Sequence, residues 1–148
     1  MITEIETAIA DYLRAAFTAN ETLDGAAWEV KPATSVTAAP KNKVLVIVAA
    51  PEVPHSHPAL ALAMIHIYVS TPAEPPAIAA TATLFEQAVV RAFSILDVPT
   101  VEADIAELLA VSLPDWSSGG IVVKGWQTGR EQNNFNPHFA LECGLYRV

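Results

Sequence analysis

The sequence predicts an α+β fold in which helices pack on one face of a largely antiparallel sheet. Two observations carry that expectation. Strand-like alternation comes in blocks, with helix-like periodicity between the blocks rather than after every strand. The predicted order is helix, two strands, two helices, two strands. The length of 148 residues fits one domain spanning 1–148, and a chain of that size can bury about 70% of its unfolded surface.

Residues 2–19 read as an amphipathic helix. Ile2, Ile5, Ile9, Leu13, Ala16 and Phe17 recur at three- and four-residue steps, with Glu4, Asp11 and Arg14 on other faces. Thr3 followed by Glu6 suits a capping box. Residues 28–42 are ambiguous: Trp28 and Val30 suit a short strand, and Pro32 and Pro40 bound an irregular segment. KVLVIVAAP, residues 43–51, is a compact apolar run rich in β-branched residues and reads as a buried strand. Residues 52–58 read as a loop.

In the next strand Ile65, Ile67 and Val69 alternate with His66, Tyr68 and Ser70, which separates a core face from a mixed one. After a proline-rich loop at 72–76, residues 77–96 form the clearest helix. Its stripe is Ile78, Ala82, Phe85, Val89, Phe93 and Leu96. A shorter helix at 101–112 carries Ile105, Leu108 and Leu109. Pro114 ends it, and residues 115–120 read as a turn. The last two strands are expected at 121–128 and 138–148. In the second, Phe139, Leu141, Cys143 and Leu145 share one face, opposite His138, Glu142 and Tyr146. The polar segment 129–137 between them looks too long for a two-residue turn.

Composition excludes several classes. The net charge is −8 and only eight residues are Lys or Arg, so clustered phosphate neutralisation is not expected. One cysteine permits no internal disulfide and suits a reducing compartment. No apolar run reaches membrane-spanning length, and the opening MITEIETAIADYL lacks the pattern of a signal peptide. Charged residues make up 16% against 52% hydrophobic ones, which leaves apolar surface to be covered by a neighbour.

Patterns that would carry chemistry are sparse. His55-Ser56-His57 is a His-x-His pair, and His66, His138, Glu142 and Cys143 are conceivable further ligands for zinc. No Cys-x-x-Cys or His-Glu-x-x-His accompanies them, so no metal site and no cofactor are expected. Cys143 alternates with core residues and reads as a buried thiol rather than a nucleophile. Ser117 and Ser118 lack a Gly-x-Ser-x-Gly setting, and Asp104 and Glu107 suit a solvated helix face. The chain is not expected to be an enzyme. Trp116 is a candidate interface anchor, whereas Trp126 reads as core. The dense polar block Arg130, Glu131, Gln132, Asn133 and Asn134, around Phe135, is a candidate protein-contact hairpin.

The layout as a whole resembles the tail-terminator family among the neck and tail-completion proteins of tailed bacteriophages. The resemblance lies in the helix IETAIADYLRAAF, the strands KVLVIVAA and LAMIHIYV, the helix LFEQAVVRAF and the closing pair VVKGWQT and FALECGLYRV. It implies a virion structural protein, assembled in the host cytoplasm, that forms a hexameric ring with copies of itself at the head-proximal end of the tail. The expected partners are the tail tube protein and the head–tail connector. DNA would pass through the lumen without sequence-specific binding, and no membrane is involved. The alternatives are a head-completion or connector adaptor of the same neck, or a small intracellular ligand- or metal-binding domain.

Overall fold

The computed structural model describes residues 1–36, 43–71, 78–93, 98–131 and 134–148, with the backbone alone at 78–80, 98, 128–131 and 134–136. Among the described residues three α-helices, α1 (Ile2–Thr18), α2 (Ile78–Ala92) and α3 (Val98–Ser112), cover one face of a six-stranded sheet. The strands are β1 (Trp28–Pro32), β2 (Val44–Glu52), β3 (His55–His57), β4 (Leu60–Ser70), β5 (Trp116–Glu131) and β6 (Asn134–Arg147). The order across the sheet is β1-β2-β4-β6-β5. β1 lies parallel to β2, and the other described pairings are antiparallel. The α+β class and the order of the seven expected elements hold, with β1 and β3 added.

The core is where the alternation placed it. Ile65, Ile67 and Val69 of β4 lie in register with Leu141, Phe139, Val48 and Val46 of its neighbours, and all are buried. The helices close over them. Ile5, Ile9, Leu13 and Phe17 form the buried stripe of α1, while Ile2 at its start is exposed. Phe17 meets Trp28 and Phe85 edge-on, at ring distances of 5.4 and 5.9 Å, which joins α1 to β1 and α2. The Tyr12 hydroxyl donates to the Ala92 carbonyl and ties α1 to the end of α2.

Three local expectations change. No capping box forms: Met1 caps α1, and Glu6 is buried instead. Its carboxylate accepts the N–H of Ala50 at 2.8 Å and that of Thr34 at 3.3 Å. The β2–β4 ladder slips between Ala49 and Glu52, so Ala50 stands at an irregularity, and the Glu6 carboxylate takes its N–H. Residues 115–120 are not simply a turn, because β5 begins at Trp116 and pairs with β6 from there. Within residues 52–58, His55–His57 form a short strand against the start of β4, beyond the end of β2.

The closing hairpin is also regular much further out than expected. The ladder continues to Thr128 opposite Pro137, Arg130 opposite Phe135 and Glu131 opposite Asn134. Pro137 is tolerated there because β6 has left β4 behind at His138, so it has one neighbouring strand rather than two. The expected loop at 72–76, Leu96, Gln132 and Asn133 lie outside the described residues.

Candidate assembly surface

The helices leave the other face of the sheet uncovered by any described element. Period-two alternation assigns its residues through the register. Leu60 faces Tyr146, Met64 faces Glu142, His66 faces Ala140 and Tyr68 faces His138. Val122 stands opposite Glu142 on one side, and Ile47 opposite Tyr68 on the other. Large apolar side chains gather here: Leu60, Leu62, Tyr68, Val122 and Tyr146 are between 39% and 55% exposed. Met64 and Ile47 are half-buried between them.

Charge on this face is balanced by pairing. Lys124 sits at a register shift in β5, and its Nζ lies 3.3 Å from Glu142. Toward β1, Glu29 holds Lys43 at 2.6 Å and Lys31 at 3.5 Å. The Lys43 ammonium beside Glu29 is the main cause that holds its carboxyl below the usual range. On a chain of net charge −8 this face is therefore close to neutral.

Near its centre lie three stacked rings. Tyr68 and His138 are opposite one another, nearly parallel at 5° and 4.5 Å apart. The ring of His66 lies 5.0 Å from that of His138, and its Nδ1 is 2.8 Å from His138 Nε2, a hydrogen bond across 72 residues of sequence. Burial, and then the neighbouring His66, hold His138 below the usual histidine range.

The structure separates the other candidate residues. His55 and His57 are exposed on β3, away from His66 and His138. His55 meets Trp116 edge-on at 5.6 Å, and His57 Nδ1 accepts the N–H of Ala59 at 3.1 Å. Trp116 is half-buried and packs against the core margin. Arg130, Glu131, Asn134 and Phe135 are placed by their backbone in the β5–β6 ladder.

Cys143 points to the core, fully buried, with Ser118 Oγ at 3.5 Å. Burial is the main cause that pushes its thiol above the ordinary range, where it stays protonated at neutral pH. Glu142 points the other way, as alternation requires. Asp104 and Glu107 are exposed on α3. Among the described residues, no group of three or more His, Cys, Asp or Glu side chains is placed to hold a metal ion, and no helix is long and apolar enough to cross a membrane.

Trp126 departs from its expected core position. It faces the helix side, opposite Phe139, yet is 54% exposed. With Val89, Val90, Phe93 and Leu141 it lines an apolar groove of about 620 Å³ between α2 and the β5–β6 hairpin.

What sequence reasoning missed is the face as a unit. The mixed sides of β4 and β6 were legible one strand at a time. Their merger into one apolar, charge-paired surface depends on β4 lying beside β6. Comparison with protein-family models and with curated protein sequences returned no match.

Proposed function

We propose that this chain is a non-enzymatic structural subunit that assembles with copies of itself into a ring of the tail-terminator type. The observation that carries the reading is the sheet face that no described element covers, which presents Leu60, Leu62, Tyr68, Val122 and Tyr146 together. Contiguous apolar surface on a folded chain marks a contact site. Covering it contributes roughly 25 cal/mol per Å² of apolar area. A standard interface buries about 800 Å² per partner, which is the scale of a multi-strand sheet face.

The occupant of this face is a second copy of the chain. Two molecules of net charge −8 repel one another in general, and they do so least where the charges are already paired. In a ring the contact is heterologous, so this face seats on a different surface of the neighbour. The order of elements, which resembles the tail-terminator layout, supports a ring that closes the head-proximal end of a tail tube and meets the head connector. An acidic subunit suits a lumen along which DNA moves without sticking.

Negative-stain electron microscopy of the purified chain at tens of micromolar tests this reading. Closed rings are expected, with sixfold averages. A Tyr68→Glu/Val122→Lys variant with unchanged circular dichroism is expected to give dispersed single subunits. A wild-type chain that stays monomeric, alone and with tail tubes, would overturn the proposal.

A further inference from the structure

The geometry points to a second role for the open face: we propose that His66 and His138 form a two-imidazole chelate for a divalent transition-metal ion of the zinc, nickel or copper class. Ring assembly is not required for it, because both ligands come from one chain.

The register of β4 and β6 brings the two rings together. Tyr68 stands directly opposite His138, and His66 is two residues along the same face. His66 Nδ1 and His138 Nε2 face one another at 2.8 Å. Two ligands on one zinc, each about 2.0–2.1 Å away and roughly 90–110° apart, lie about 2.9–3.4 Å from one another. The two nitrogens now point at one another across a hydrogen bond, so to take an ion the pair must open by a few tenths of an ångström and both rings must turn until their lone pairs converge on it beside the N···N line. The shared proton moves to the outward nitrogen of its own ring, so a neutral pair binds without net proton release. Both imidazoles then offer a lone pair to the same ion.

The rings are also held for this task. His66 and His138 stand on two central strands, each paired on both sides near these positions. Tyr68 stacks on His138 at 4.5 Å and nearly parallel, which holds the tilt of its ring and leaves turning within the ring plane. Imidazole nitrogen favours zinc, nickel and copper over harder ions, with copper bound most tightly. Among the described residues no third protein ligand completes a closed structural site, so the remaining positions belong to solvent or to a docked neighbour.

His55 and His57 provide an internal control. They are also two nearby histidines, here in a His-x-His sequence, but His57 Nδ1 is occupied by the Ala59 N–H and His55 packs on Trp116.

The experiment is calorimetric titration of the full chain, free of any polyhistidine tag, with Zn²⁺, Ni²⁺ and Cu²⁺. One ion per chain is expected. His66→Ala and His138→Ala should each weaken binding by roughly tenfold or more, since even groups that only orient a ligand are worth that much. The His55→Ala/His57→Ala variant should bind like the wild type. Electron paramagnetic resonance of the Cu²⁺ form should show two nitrogen ligands in the wild type and one in either single variant. Circular dichroism of each variant confirms that the fold is kept. Absence of stoichiometric binding, loss confined to the His55→Ala/His57→Ala variant, or a copper spectrum without paired nitrogens would overturn the proposal.

Discussion

Replacing Glu6 by alanine should destabilise the fold far more than a first-turn surface glutamate would. Glu6 is 3% exposed and accepts the Ala50 and Thr34 N–H groups. Ala50 is itself fully buried and sits where the β2–β4 ladder slips, so its N–H has no place in the regular register. Hydrogen bonds to a charged group contribute about 1.5–3 kcal/mol net, and an orphaned buried donor costs about 1–3 kcal/mol. These overlap, so Glu6→Ala should cost about 2–4 kcal/mol. Glu6→Gln keeps one carbonyl acceptor but turns an NH₂ toward the other donor, and should cost roughly half as much. Equilibrium unfolding in urea, at one fixed protein concentration, measures this. With a slope of about 2 kcal/mol per molar, the alanine variant should lose about 1–2 M in midpoint. A loss below about 0.5 kcal/mol at an unchanged slope would refute the buried-acceptor role.

Three further outcomes follow from the same structure. Gly25 has φ +80°, and apart from its chain neighbours no atom lies within 4 Å of where a β-carbon would stand. Gly25→Ala should therefore cost about 1–2 kcal/mol through backbone strain alone, and Gly25→Asn less; thermal melting distinguishes them. Leu141→Ala, at 1% exposure, should cost about 2–5 kcal/mol in the same urea assay. The Cys143 thiol should react with a disulfide reagent only after unfolding. Burial raises its folded-state pKa above the ordinary thiol value, so the stability linked to it is full below about pH 8.5 and is lost as pH rises through the folded value. Urea midpoints of wild type and Cys143→Ala from neutral to strongly alkaline pH test this.

The legibility of the sequence varied with the kind of signal. Phe139, Leu141, Cys143 and Leu145 declared a buried face because strict alternation has one simple solution. The beginning of β5 was hidden because Ser117, Ser118, Gly119 and Gly120 carry turn propensity. Pairing with β6 overrides it, with a register shift between Ser118 and Gly120. β3 was hidden by the flanking Pro54 and Pro58, which mark a loop in any local reading. Glu6 was misread because the spacing to Thr3 suits a cap, while its true partners are 28 and 44 residues away. The meeting of His66 and His138 required the strand order, which no local pattern encodes.

Hydroxyl-radical footprinting at low and high protein concentration tests the assembly surface most directly. As oligomers form, Leu62, Met64, Tyr68, Val122 and Tyr146 should lose reactivity together. Oligomers that form while the open-face residues remain fully reactive would contradict the account.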